Sequence, residues 1–211
     1  MRKFDPLFNL EEDGPRELGI APAGGYRIRS NRLPLLPYNE EMTLVRNEHM
    51  LLKYDLERRT YERHDISSCL LYEFPSTCDL HNGCFFVAGG LRTDEDREPV
   101  AKAFLYETTR AKTNFLEDMH FQRYKLQLVY LEDEVLAIGG FVRGKIMSKS
   151  VEKFSLREES WADCSPMFFE RAEFVAVPSR AGRCIYVCGG TVMPENSLIV
   201  ERYDARRDEW A

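Results

Sequence analysis

The stretch "CIYVCGG" (Cys184–Gly190) closes a short apolar run on two adjacent glycines. By itself it fits a strand entering a phosphate-cradling loop or a strand entering a turn. The rest of the chain decides between them. Doubled glycines recur at Gly89-Gly90, Gly139-Gly140 and Gly189-Gly190, 50 residues apart both times, behind the runs "CFFVAGG", "EVLAIGG" and "CIYVCGG". No G-x-G-x-x-G or G-K-[ST] accompanies any of them, so they are not nucleotide loops. Glycine suits a turn where strands crowd together and the chain needs positive φ to leave the strand. Gly139→Val or Gly189→Val is therefore expected to cost about 1–3 kcal/mol in strain.

Two further landmarks keep the same rhythm. After each doublet come a variable loop and an apolar-aromatic strand: "AFLYETT", "VEKFSLR" and "VERYDAR". A large aromatic follows, at Phe115, Trp161 and Trp210. Phe154 to Trp161 and Tyr203 to Trp210 are each seven apart, as are Tyr54 and Tyr61 upstream. Tyr106 to Phe115 is nine and reads as a two-residue insertion. Next, "MHFQR" (Met119–Arg123) and "MFFER" (Met167–Arg171) each set a Met four residues before an Arg. From each arginine to the next doublet the chain can form a hairpin, and the turns are "HNG", "LEDE" and "SRAGR".

A period near 50 with this density of strands marks a radial or stacked β array. The spacing of doublet, strand aromatic and later large aromatic resembles the kelch repeat, over roughly residues 42 to 211. The resemblance implies an all-β fold: a kelch-type β-propeller arc of three four-stranded blades plus a partial blade. The blades are expected at about 69–116, 117–162 and 163–211, with the partial blade at 42–68. There "EMTLV" and "MLLKYDLERRTY" resemble only the outer two strands of a blade. Residues 1–41, rich in Pro and Gly and without the repeat, are expected to form an extended N-terminal arm. Their Gly24-Gly25 is a coincidental doublet, and "LPLLP" packs along the propeller or serves as a PPII ligand. Propellers usually close with about four to eight blades, so three and a half leave an open arc. The expectation is a piece of a longer chain; the alternative is a ring completed by a second copy or a partner chain.

Composition bounds the function. Thirty-five acids against 29 bases give a formal charge of −6, which argues against a general nucleic-acid binder. No apolar run reaches the roughly 18–20 residues of a membrane span, and no secretory signal is visible. A cytoplasmic chain is expected. The six cysteines include no Cys-x-x-Cys. Cys184 and Cys188, four apart in one strand, lie roughly 13 Å from each other, too far to bridge. Free thiols are the reading. Cys188 takes the slot of Ala88 and Ile138, so it is expected to be a small buried hydrophobe. Cys84 and Cys184 align with Glu134, at a more exposed position.

The resemblance implies a non-catalytic protein–protein interaction module or scaffold whose blade loops take a protein or peptide partner. Its contact residues would lie just after each doublet (Leu91-Arg92-Thr93, Phe141-Val142-Arg143 and Thr191-Val192-Met193) and two beyond the hairpin arginine (Lys125 and Glu173). Arg92, Arg143 and Lys125 would form a local basic cluster, and an exposed Phe141 a hydrophobic anchor. Glu173 has the wrong sign for an acidic ligand. The alternative is a structural component of a larger assembly. A propeller enzyme, by copper-dependent oxidation or sugar isomerisation, is disfavoured: His49, His64, His81 and His120 occupy unrelated slots, and no nucleophile–base pair is spaced for catalysis. The acidic run "TDEDRE" reads as a solvated loop tip. No cofactor or metal is expected. Arg123 and Arg171 are read as ties from one blade to the next, through hydrogen bonds to carbonyls or carboxylates.

Overall fold

A computed structural model describes the backbone of residues 41–46, 50–55, 60–65 and 72–211, apart from 180–181 and 192–198. Side chains are described from residue 72 on, with the same two gaps. The expectations for the N-terminal arm, Gly24-Gly25, "LPLLP", Val192 and Met193 lie outside these residues. The chain divides into two compact units, one up to Asp65 and one from Ile66. In the first, Glu41–Arg46, Met50–Asp55 and Thr60–Asp65 form a three-stranded antiparallel sheet. It has one strand more than the two expected, because "MLLKYDLERRTY" folds as a hairpin with Tyr54 opposite Tyr61.

The second unit contains three four-stranded antiparallel sheets, each a meander of successive strands. The first blade is built from Ser76–Asp79, Cys84–Ala88, Ala103–Glu107 and Lys112–Phe115. The second comprises Gln127–Leu131, Glu134–Ile138, Val151–Ser155 and Ser160–Cys164. The third comprises Val175–Pro178, Cys184–Cys188, Glu201–Asp204 and Glu209–Trp210. The inner strand Gln127–Leu131 lies beside the inner strands of both other blades, so the three sheets fan out from a common side. The expected hairpins form. In the second blade Leu131 pairs with Glu134, and the turn residues Glu132 and Asp133 have φ of 49° and 67°, the left-handed pair of a two-residue type I′ connection. The only helical turn among the described residues is the 3-10 turn Arg143–Lys145, and no described helix is long and apolar enough to cross a membrane.

Aromatic side chains fill the space between blades. Phe86 of the first blade meets Phe154 and Trp161 of the second at ring-centroid distances of 5.3 and 5.9 Å. Leu136, Ile138 and Val151 of the second blade share one core with Ile185, Val187, Tyr203 and Trp210 of the third. Both tryptophans also pin the chain that links successive blades: their indole N–H groups donate to the carbonyls of Glu117 and Ser165, each at 2.8 Å. Burying rings of this size is the largest apolar gain available to a thin sheet. Phe115 does not join them. The three outer hairpins are equally long, since Glu107 pairs with Lys112 as Ser155 does with Ser160 and Asp204 with Glu209. There is no two-residue insertion. Thr113 holds the tryptophan slot opposite Tyr106, and Phe115 sits two residues further along, opposite Phe104 and 74% exposed.

The arginines and the doublets make the junctions. The Arg123 side chain, fully buried, donates to the carbonyls of Gly139 and Ser150 and to the Glu152 carboxylate at 2.7 Å. Arg171 does the same with Gly189, Ile199 and Glu201. Each side chain therefore fastens the incoming chain to the blade that it opens. The tie to the preceding blade comes from the main chain: the Arg123 carbonyl accepts from Gly90 N–H at 2.9 Å, and the Arg171 carbonyl from Gly140 N–H at 2.8 Å. The carboxylates also accept main-chain N–H groups, those of His120 at 2.7 Å and Phe168 at 2.6 Å. Burial works against the Arg123 charge and draws its pKa down, and Glu152 opposes that pull. In the first blade, Tyr72 and Phe104 hold the register positions of Arg123 and Glu152. Both charges are replaced together, so neither is left unpaired.

The same junctions dictate glycine. A Cβ on Gly89 would lie 2.5 Å from the Arg123 carbonyl oxygen, and one on Gly139 would lie 2.6 Å from that of Arg171. A Cβ on Gly189 meets no described atom within 4 Å. All three have positive φ. Gly189→Ala is therefore expected to lose only the backbone term of about 1 kcal/mol, whereas Gly139→Ala adds a clash with backbone and melts clearly lower. Equal melting temperatures for the two would contradict this division. Removal of one buried ionic partner is costlier. Arg123→Met, which strands Glu152, is expected to destabilise by about 3–5 kcal/mol, and Arg123→Met/Glu152→Leu by much less. Denaturant titration of both variants measures the difference.

Candidate functional site

The loops that leave each doublet and the turns that follow each arginine meet at one end of the blades. Phe141 bridges Tyr124, and Thr191 bridges Ala172, so post-doublet residues pair with the residue after the arginine. In the first blade Glu73 pairs with Leu91 in the same way. The next residue of each turn is Phe74, Lys125 or Glu173, with φ of 54°, 52° and 55°. Three bulky residues in the left-handed region, at equivalent positions, each cost about 1–3 kcal/mol of backbone strain. They persist because each turn hangs on its neighbour: Lys125 N–H donates to the Phe74 carbonyl at 3.4 Å and Glu173 N–H to the Lys125 carbonyl at 3.3 Å.

This conformation brings the three side chains together. The Lys125 ammonium lies 4.9 Å from the Phe74 ring centroid and 6.0 Å from that of Phe141, within cation–π range. It is also paired with the Glu173 carboxylate, whose second oxygen accepts from the Thr191 hydroxyl at 3.2 Å. Beneath them Tyr124 is buried, its ring 5.4 Å from Phe141 and 6.5 Å from Phe74. Burial, and then the nearby Glu173 charge, push the Tyr124 phenol pKa up, which keeps it neutral. Four of the expected contact residues, Lys125, Phe141, Glu173 and Thr191, thus converge. Phe141 is half-buried rather than exposed.

The outer two behave differently. Arg143 reaches across to Glu98 of the preceding loop at 3.0 Å, and Arg92 pairs with Asp94. Arg97 pairs with Glu73. The anticipated basic cluster is thus neutralised: Arg92, Lys125 and Arg143 each hold a carboxylate, two of them drawn from the "TDEDRE" run. The face is an aromatic floor ringed by ion pairs. Sequence reasoning missed Glu73 and Phe74 because the first blade has Tyr72 where the others have the arginine that locates the turn, and Tyr124 because nothing local marks it as the buried floor of the face. The spacing of Phe74, Lys125 and Glu173, 51 and 48 residues, was the available signal.

A second polar group stands apart from this face. His120, Glu152 and Asp163 bring ligand-type atoms within 4.8 Å of one another, a grouping the scattered histidines did not foretell. These atoms are spent internally: Glu152 takes Arg123 and the His120 N–H, and His120 Nδ1 bonds Asp163 at 2.7 Å. The adjoining buried guanidinium repels a cation, so the group reads as an ion-pair network. The five described cysteines are free thiols. Cys84 and Cys184 are half-buried as expected, but Cys188 is exposed and not a core residue, because its side of the third blade carries nothing described.

Comparison with known proteins gives the same architecture. A solved structure of YjhT, a kelch-type propeller, superposes with a TM-score of 0.69 over 85% of this chain and 65% of that one, at 10% identity. The chain carries a kelch-repeat propeller fold, in part. It is also similar to Kelch-like protein 35 of Mus musculus, 29% identical over 140 residues, which are 66% of this chain and 22% of that relative. The chain thus spans about a fifth of that relative and just under two thirds of the YjhT chain. No protein-family model matches.

The Asp163 hydrogen bond raises the His120 pKa above its ordinary value. A raised folded-state pKa stabilises below the unfolded value of about 6.5 and stops doing so as pH climbs through the folded one. The melting-temperature gap between parent and Asp163→Asn is therefore expected to be wider near pH ~5.5 than near pH ~8.5. The effect is small at so exposed a pair. A gap that widens toward alkaline pH would show the sign to be wrong.

Proposed function

We propose that this chain is a non-catalytic protein-binding module, and that the loop face built on Phe74, Lys125, Phe141, Glu173 and Thr191 receives a protein or peptide segment. The observation that carries the reading is the convergence of the linked turns at Phe74, Lys125 and Glu173 with Phe141 and Thr191. Positive φ recurs at other turns too, as at Ala111, Glu159 and Asp208; what supports a site here is that these three turns hydrogen-bond to one another and gather Phe74, Lys125, Phe141, Glu173 and Thr191 on one surface. The neutralised ring argues for a partner that offers an apolar or aromatic anchor with mixed polar groups, rather than a uniformly acidic tail. Such an anchor would settle on the floor of Phe74 and Phe141, while its main chain would bond the Thr191 hydroxyl and the Glu173 carboxylate. Anchors of this kind dominate interface energetics. The resemblance to a kelch-like protein supports the binding role.

The test is capture from cell extract by the immobilised 211-residue chain, with quantitative mass spectrometry. Phe141→Ala/Lys125→Ala is expected to weaken its specific partners by about tenfold or more without a matching drop in melting temperature. Arg92→Ala, at the outer ring, should leave capture nearly unchanged. Full retention of every partner by the double variant would remove this face from consideration.

A further inference from the structure

The centre of the loop face already holds a cation. The Lys125 ammonium sits by the Phe74 and Phe141 rings, 4.9 and 6.0 Å from their centroids, and the buried Tyr124 ring packs against both. The Glu173 carboxylate completes its set of partners. Aromatic faces supply quadrupole attraction to a cation, and a carboxylate supplies the counter-charge. Lysine uses this setting poorly. Its ammonium is a strongly hydrated point charge. It engages one Glu173 oxygen, while the other accepts from the Thr191 hydroxyl at 3.2 Å. A guanidinium is flat, stacks on an aromatic ring, and presents two parallel N–H groups that match both oxygens of a carboxylate.

The walls of this cage do not depend on the Lys125 side chain. Main-chain bonds hold the turns: Lys125 N–H donates to the Phe74 carbonyl, Glu173 N–H to the Lys125 carbonyl, and Phe141 exchanges bonds of 2.8 and 3.0 Å with Tyr124. The ion pair itself lies at the surface, with the Lys125 side chain 25% and that of Glu173 33% exposed. Pairs of that kind are weak and exchange readily. The neighbouring arginines are committed elsewhere, Arg92 to Asp94, Arg97 to Glu73 and Arg143 to Glu98. The surrounding field favours a cation brought from outside. The chain carries a formal charge of −6. On the first-blade loop Glu95 and Asp96 are exposed and have no cation partner among the described residues. Against them stands Lys145 on the second-blade turn, so the loop tips lean acidic.

We infer that Phe74, Tyr124, Phe141 and Glu173 form a cation cage whose resident, Lys125, gives way to an arginine side chain of the protein segment bound at this face. The inference rests on the binding role proposed above and adds the residue type that the segment brings. The arginine is one of the polar groups that accompany the apolar anchor, and its stem shares the floor of Phe74 and Phe141 with that anchor. Its guanidinium takes both Glu173 oxygens. The Thr191 hydroxyl keeps its bond, because each carboxylate oxygen has two lone pairs. Lys125 turns out into water on its flexible stem. A lysine from the partner would only repeat the contacts that Lys125 already makes, and an uncharged side chain would leave Glu173 without a counter-charge. The cage therefore selects arginine over both.

The probes are the blocked tripeptide acetyl-Gly-Arg-Gly-amide and its lysine and citrulline counterparts, citrulline matching arginine in shape without the charge. Binding to the 211-residue chain is read by two-dimensional proton–nitrogen NMR, whose spectra also show whether each variant is folded. The arginine probe is expected to shift the amides of Phe74, Lys125, Phe141 and Glu173 and to bind about tenfold more tightly than the lysine probe. The citrulline probe should leave them in place. Lys125→Ala, which empties the cage, should tighten the arginine probe by about fivefold. Glu173→Gln, which keeps the shape of the acceptor, should abolish the preference for arginine over citrulline. The inference is overturned if the arginine and citrulline probes bind alike, if Lys125→Ala weakens the arginine probe, or if no amide of the cage shifts in that variant. Capture from extract separates this result from the broader reading. Lys125→Ala alone should raise the yield of the partners that Phe141→Ala loses. Loss by both variants sinks the exchange and leaves the binding face standing, whereas unchanged capture by both and by their double removes the face itself.

Discussion

The carbonyl of the hairpin arginine is the constraint from which the rest of the unit follows. It takes the N–H of the preceding blade's second glycine and stands within 2.5–2.6 Å of where a Cβ on the first would lie. That one oxygen ties the two blades together and leaves no room for a side chain at the first glycine of the doublet, while the residues around the turn, Tyr72 and Glu73 or Tyr124, leave none at the second. Its own position is held by the buried guanidinium below it, locked to a glutamate and two carbonyls. A buried ion pair of this kind adds little net stability, but breaking half of it is costly. Its value here is positional: a long side chain with planar donors locks the turn at one angle.

Once the turns are fixed, the loop face follows. The residue two beyond each arginine, and two beyond Tyr72 in the first blade, has positive φ, and adjacent turns link through main-chain hydrogen bonds. Phe74, Lys125 and Glu173 are thereby delivered side by side, although 48 or more residues separate each from the next in sequence. The face is assembled from different blades and held by the same interaction that spaces them. Binding residues on short loops above a rigid scaffold lose little entropy on engagement. Lys125 shows the balance struck there: it lies over the Phe74 and Phe141 rings while its charge is satisfied by Glu173, so neighbours within the chain hold it in place.

The third blade shows what such a scaffold looks like where the sequence of contacts stops. Half of its apolar residues are buried as deeply as those of its neighbours, because the second blade covers Ile185, Val187 and Tyr203. The other half, on alternate positions of the same strands, face outward. The two-residue period of a strand divides a single apolar run such as "CIYVC" between two different neighbours. Cys188 shows this directly: the equivalent Ala88 and Ile138 are buried by the sheet that follows them, and no described sheet covers Cys188.

The sequence by itself determined the strands, the doublets and the repeat length, since each rests on local rules: glycine where φ must be positive, alternation where a sheet is covered, an aromatic at a fixed step. It also carried the choice of Arg123 and Arg171 as structural residues. Their partners Glu152 and Glu201 stood in plain view in "VEKF" and "VERY", but nothing local marks a glutamate as buried. Only the tertiary structure decided that Phe115 leaves the tryptophan slot, that Arg92, Lys125 and Arg143 meet carboxylates instead of one another, and that Cys188 looks outward. Each of those outcomes depends on which side chain from another blade occupies the adjoining space, and a one-dimensional pattern holds no record of that.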